Sequence, residues 1–287
     1  MKRVLSGMVL VISLCFVISA RPGPLTTAST TVGDEARPAG LPSAAGWSLA
    51  FDDCFNQPWL NLNTWNIGLP WGRVNRNELQ FYADDAFDLV SNPSHVLIRA
   101  EPRPMEGRPY TSGALHTRGR FSFQYGYAEI MVKVPKGKGL WPAFWLLAEG
   151  DDWPPEIDVF EIIGDQPNTV YMTNHWKSPS GEHLSTQGIY TGPDFSAGFH
   201  TFAVDWRPGE VIWYVDGIER YRTNQGVPAE PMYLIVNLAI GGDWPGNPDA
   251  STLFPAQMDI HYIRAYQRVQ SASASQVYIP LIKNAAS

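Results

Sequence analysis

Three carboxylates fall within the six-residue run Glu156-Ile-Asp158-Val-Phe-Glu161, inside a strongly apolar, β-type stretch. Acids are costly to bury in a strand unless they do chemistry or bind an ion. Side chains alternate faces along a strand, so Glu156 and Asp158 point the same way and Glu161, an odd step on, points the other. A one-residue bulge at Val159 and Phe160 brings Glu161 back, and bulges often sit beside active sites to re-aim a side chain. All three carboxylates then face one cleft. Two carboxyl groups flanking a sugar–sugar bond are the recurring requirement of glycoside hydrolysis. A solvated edge strand or a calcium site would also use clustered acids. The flanks Phe144-Trp145-Leu146-Leu147 and Ile162-Ile163-Gly164 read as buried and weigh against the solvated edge.

The elements that must hold these groups are strands. From residue 46 to residue 268 the chain alternates apolar β-type segments with Gly, Pro, Asn and Asp. Strands are predicted over 95–100, 126–134, 143–147, 157–163, 170–176, 199–206, 211–215, 233–238 and 258–267. The Asp216-Gly217 pair after Val211-Ile-Trp-Tyr-Val is a strong hairpin-turn signal. Many short strands at regular spacing, without long helical periodicity, predict an all-β fold, a sandwich or a barrel; a concave sandwich would hold one sheet around a long polymer. No internal repeat or second domain is evident.

Length and composition agree. A chain of 287 residues is ample for a sizeable core. The net charge of −7 and the lack of a basic stripe argue against a nucleic-acid partner. Aromatic residues make up 13% of the chain and include 11 Trp, more rings than packing usually needs; exposed rings serve sugar-binding clefts as apolar platforms.

Residues 1–20 read as an export signal: Lys2 and Arg3, an apolar run over 9–18 that is short for a membrane span, then Ser19-Ala20. Residues 21–45, rich in Pro, Ala, Thr, Ser and Gly, read as a flexible leader. Residues 46–268 form the predicted catalytic domain and 269–287 a tail, with a Ser/Ala linker before Val277-Tyr-Ile-Pro-Leu-Ile282. Leu14 before Cys15 makes that cysteine a poor lipid-attachment site, and Cys54 would be the only cysteine left after cleavage, so no internal disulfide can form. The expectation is a secreted monomer, free of the membrane once cleaved.

Several further segments, in order, carry a resemblance. They are Asn75-Arg-Asn77-Glu78-Leu-Gln80-Phe-Tyr82, Tyr125-Gly-Tyr-Ala-Glu129, Lys133-Val-Pro-Lys-Gly137-Lys-Gly139-Leu-Trp141-Pro-Ala-Phe-Trp145, the bulged carboxylate run, and Asn237-Leu-Ala-Ile-Gly241-Gly-Asp243-Trp244-Pro-Gly. Together they resemble glycoside hydrolase family 16, most closely its laminarinase and endo-β-glucanase branch, over about residues 46–268. The resemblance implies a curved jelly-roll sandwich that cuts internal β-glycosidic bonds with retention. It implies Glu156 as nucleophile, Glu161 as acid/base and Asp158 as the carboxylate assisting between them. It implies Trp145 and Trp153 as sugar-stacking rings, with Trp141 beside them; for all three, core packing is the competing role. Trp244, in a Gly-rich loop, is expected to be a sugar platform. Asn77 and Asn237 resemble sugar-hydroxyl ligands, with structural roles equally open. His175, on the next strand, is expected either to bond the carboxylates or sugar or to be structural.

The chain also departs from the pattern. Pro155 stands where the laminarinases usually carry glycine, and Trp153-Pro-Pro-Glu156 is shorter, which weakens a strict 1,3 specificity. Family members often hold a structural calcium, but its expected ligand positions carry Ser94 and His261 here, and neutral imidazole is a poor calcium ligand. No metal and no cofactor are therefore expected. The predicted function is hydrolysis of β-1,3 or mixed β-1,3-1,4 glucan. The alternatives are the same chemistry on a galactan or xyloglucan, and a non-catalytic glucan-binding protein, which the presence of both glutamates disfavours.

Overall fold

The structure, a computed structural model, describes residues 46–269. The expected export signal and leader, and the tail from residue 270 on, lie outside the described residues. Every regular element among the described residues is a strand, as the turn-punctuated apolar segments predict.

Two eight-stranded antiparallel sheets carry the fold. One runs in the order His183–Thr191, Thr169–Lys177, Glu156–Ile162, Leu140–Ala148, Met232–Ile240, Ala114–His116 and Asn66–Ile67, with Ser122–Phe123 also paired to Met232–Ile240. The carboxylate strand thus lies well inside its sheet. In the other sheet Gly126–Lys133 lies between His200–Arg207 and Ala256–Arg268, and Trp47–Asp53 pairs with the latter. The predicted turn is present: Asp216 and Gly217 adopt φ of 51° and 73° between Glu210–Val215 and Ile218–Thr223. Positive φ at both central residues is the type I′ requirement.

The core lies between the sheets. Ile157, Phe160 and Ile162 from the carboxylate strand join Phe202, Val204 and Trp213 from the other sheet in one buried apolar cluster. Phe160 and Phe202 meet with ring centroids 4.6 Å apart. Burying each such side chain stabilises by about 1.5–3 kcal/mol. Met232–Ile240 is buried along its whole length, because its cleft-side Tyr233 and Ile235 are covered by Leu69, Tyr82 and Trp145.

The expected bulge is where the carboxylate spacing requires it. Ala143 pairs with Glu161, Phe144 with Phe160, and Trp145 with Asp158, which leaves Val159 as the extra residue. On the other flank Asp158 pairs with Thr173 and Glu161 with Tyr171, so two residues oppose one. A bulge frees main-chain polar groups that need partners elsewhere. Here the Asp158 carbonyl accepts a 2.8 Å hydrogen bond from the indole Nε1 of Trp213, across the core.

Candidate active site

Glu156, Asp158 and Glu161 all line a single cleft of about 960 Å³. The register sets their neighbours. Leu147 and His175 flank Glu156, Trp145 and Thr173 flank Asp158, and Ala143 and Tyr171 flank Glu161. Each acid holds a ring N–H or imidazole partner. Trp153 Nε1 donates to Glu156 Oε2 at 2.9 Å, and Trp141 Nε1 donates to Glu161 Oε1 at 3.2 Å. His175 Nε2 lies 3.1 Å from Asp158 Oδ2 and 3.8 Å from Glu156 Oε1.

Burial raises the proton affinity of all three carboxyls. For Glu161 the charges of Asp158 and Glu156 raise it further, well above the usual carboxylate range, with one indole donor in opposition. Glu156 is also pushed up by burial and by Asp158, but His175 and Trp153 favour its anion. Of the two glutamates, Glu161 is therefore the one best placed to keep its proton. That is the division of labour that acid-assisted cleavage needs.

The sequence-predicted aromatic residues gather around these acids. Trp141 and Trp145 lie on one face of Leu140–Ala148 and both line the cleft. Trp153 is 45% exposed and Trp244 43%, so neither is a core residue. Trp244 meets Trp141 edge-on at 5.5 Å and Tyr171 at 4.8 Å, which stands it over the Glu161 end of the cleft. His175 faces the carboxylates rather than the core.

Both asparagines line the cleft. Asn237 is buried, and its Oδ1 accepts from Trp145 Nε1 at 2.8 Å while Nδ2 donates to Tyr82 Oη at 3.3 Å. These bonds hold Trp145 in place. Asn77 lines the cleft and donates through Nδ2 to Asp243 Oδ1, tying the early cleft segment to the Gly-Gly-Asp-Trp loop.

Several cleft residues have no site role among the sequence-based expectations, among them Trp71, Glu78, Arg118, Tyr233 and Asp243. Trp71 is 53% exposed and packs beside Trp145, with centroids 6.1 Å apart. Glu78 is buried and accepts from Asn75 Nδ2 and Gln80 Nε2, both at 2.6 Å, and from Tyr82 Oη at 3.4 Å. Burial raises its carboxyl above the ordinary range. The available signal was the alternation Glu78, Gln80, Tyr82, three polar-tipped side chains leading into the short strand Gln80–Tyr82.

Ligand atoms of Glu156, Asp158 and His175 come within 4.8 Å of one another. Each has a hydrogen-bond partner within the site. Ser94 and His261 lie on the other sheet, in Ser94–Ala100 and Ala256–Arg268. Asp259, close by, faces His95 Nε2 at 3.6 Å and Lys133 Nζ at 3.7 Å, a cationic setting.

The family model of the glycosyl hydrolases family 16 matches residues 76–264. The chain is similar to a β-glucanase of Rhodothermus marinus, 35% identical over 257 residues that span 79% of this chain and 87% of that one. It is 40% identical over 185 residues to the endo-1,3-1,4-β-glycanase EglC of Rhizobium meliloti, across 64% of this chain but 38% of that longer relative. The solved structure of an endo-β-1,3-glucanase from Pyrococcus furiosus superposes with a TM-score of 0.69 at 35% identity, over 78% of this chain and 96% of that one. The matched region contains the whole bulged strand with its three acids and both cleft loops. On sequence, fold and site together, the chain belongs to glycosyl hydrolase family 16 and is a glycosidase.

Proposed function

We propose that the protein is a secreted, retaining endo-β-glucanase that hydrolyses internal β-1,3 or mixed β-1,3-1,4 glucan linkages by double displacement. The observation that carries this reading is the presence of Glu156 and Glu161 on one face of one strand, with Asp158 between them. In this mechanism Glu161 gives its proton to the leaving-group oxygen while the Glu156 carboxylate attacks the anomeric carbon. Direct attack requires carboxyl groups about 5–5.5 Å apart, too close for a water between them. Glycosylation of Glu156 removes one charge beside Glu161, so Glu161 gives up its proton more readily and then serves as base toward water. Asp158 holds negative charge between the two. The glucan preference is supported by the names of the relatives, and export by residues 1–20. No step requires a cofactor.

The test is reducing-sugar release from laminarin, lichenan, barley glucan, agarose and xyloglucan, with proton NMR of the first-formed anomer. Cleavage of laminarin or of a mixed-linkage glucan with the β-anomer first is expected. Cleavage of agarose or xyloglucan alone would overturn the substrate, and the α-anomer first would overturn retention.

A further inference from the structure

His183 opens the edge strand of the cleft sheet and pairs in register with Lys177. It carries no role in the chemistry described above. Yet its Nε2 lies 2.9 Å from His175 Nδ1, while His175 Nε2 lies 3.1 Å from Asp158 Oδ2. The two imidazoles stack with centroids 5.1 Å apart, and His183 also sits 4.6 Å from the Trp153 ring. A line of ring nitrogens thus runs from the edge strand to the middle acid.

We propose that His183 is a positioning residue that fixes the tautomer of His175, so that the His175 Nε2–H always points at Asp158. This rests on the reading of Glu161 as the acid. A neutral imidazole has one N–H and one lone pair, and the bond at one nitrogen decides which sits at the other. Burial lowers the proton affinity of both histidines and so favours the neutral rings, with Glu156 pulling the other way on His175. A carboxylate at 3.1 Å needs the His175 Nε2 as donor, which leaves Nδ1 as a lone pair. The His183 Nε2–H satisfies that lone pair, and every donor in the line then points inward.

The charged groups around the pair are Glu156 and Asp158, with Glu161 beyond them, and Lys177 and Glu182 next to His183. Asp151, ahead of Trp153, is engaged by Arg118. Without the His183 donor, the Nδ1–H tautomer of His175 is no longer excluded; in it the lone pair faces Asp158, which then takes up a proton. Glu161 loses a neighbouring charge and its acid form fails at lower pH. Glu156 loses the same neighbouring charge, so the nucleophile also appears at lower pH. The kcat/KM bell moves to lower pH on both limbs.

Two variants separate this role from packing against Trp153. His183→Phe keeps a ring and loses the donor; His183→Gln keeps an N–H near the same place and loses the ring. The expected result is a bell shifted to lower pH by about half to one unit on both limbs for the Phe variant. Its kcat should fall with KM held, and the Gln variant should show the wild-type profile. A wild-type profile in the Phe variant, or a shifted one in the Gln variant, overturns the proposal. Nitrogen-15 imidazole NMR of the wild type gives a readout independent of glucan cleavage. The Nε2–H tautomer of His175 is expected; the Nδ1–H tautomer overturns the proposal even if every polymer is cleaved.

Discussion

The indole of Trp213 donates to the main-chain carbonyl of Asp158 at 2.8 Å, so a residue of one sheet holds the bulge that aims the acids of the other. Trp213 is fully buried. Trp213→Phe keeps most of the apolar volume and strands that carbonyl. Leaving a buried acceptor unsatisfied costs about 1–3 kcal/mol. We expect a lower melting temperature and, under conditions where the variant is folded, a reduced kcat from a loosened Glu161. Thermal unfolding with kinetics at low temperature checks both; an unchanged melting temperature would show that the bond contributes nothing.

Glu161→Ala should lose activity on polymer by roughly 10²–10⁴-fold, because an unactivated alkoxide leaving group needs a proton. An aryl glycoside with a good leaving group should regain turnover with azide and give a β-glycosyl azide. Undiminished polymer hydrolysis would remove Glu161 from the mechanism.

The same residue should cost stability. Its carboxyl has an ordinary value of 4.5 and is raised in the folded state by burial, then by Asp158 and Glu156. The folded protein therefore binds this proton more tightly than the unfolded chain does. Stability from this group is complete below the ordinary value and is lost as pH rises through the window up to the folded value. Glu161→Gln removes that loss. We expect the variant to melt above the wild type at pH 7–8 and the gap to close near pH 4. A gap that does not depend on pH would contradict the assignment.

Trp244→Ala should weaken long oligosaccharides more than it slows bond cleavage. The ring is 43% exposed and stands edge-on to Trp141 and Tyr171. Losing such a platform removes apolar contact on the order of 1–3 kcal/mol. A platform that holds ground and transition states alike raises KM and spares kcat. Melting temperature measured alongside separates this from a packing role, and an unaltered KM in a destabilised variant would end the platform idea.

Chelation should leave the melting temperature where it is. Ser94 and His261 stand at the positions where the family resemblance puts calcium ligands, and a bound ion would otherwise add linkage stabilisation. A fall of several degrees with EDTA, reversed by calcium, would show that other ligands have taken over.

The acid cluster was legible because strand alternation left Glu161 out of phase, and one bulge was the simplest repair. The Asp216-Gly217 turn was legible because positive φ favours those residues. What holds the site was not. Trp213 and the Asp158 carbonyl are 55 residues apart, and Asn77 and Asp243 are 166 apart. Neither pairing leaves a local pattern. The strand His183–Thr191 escaped because it is an edge with no buried alternation to read. It packs closely all the same: a Cβ on Gly188 would fall 2.2 Å from the Tyr221 ring. Asn237 resembled a sugar ligand because its type suits that role, and its bonds to Trp145 and Tyr82, partners far away in sequence, left no local pattern to read.

The extra residue at Val159 makes the catalytic centre a matter of counting as well as chemistry. Deleting it would set the three acids at strict two-residue steps and return both ladders to even pairing, so they would still share the cleft face but without the twist that a bulge adds. A deletion here therefore changes the twist of the strand and the aim of Glu161, not the face it lies on. The aim of that one carboxyl, as well as the walls around it, is then open to adjustment by a single residue.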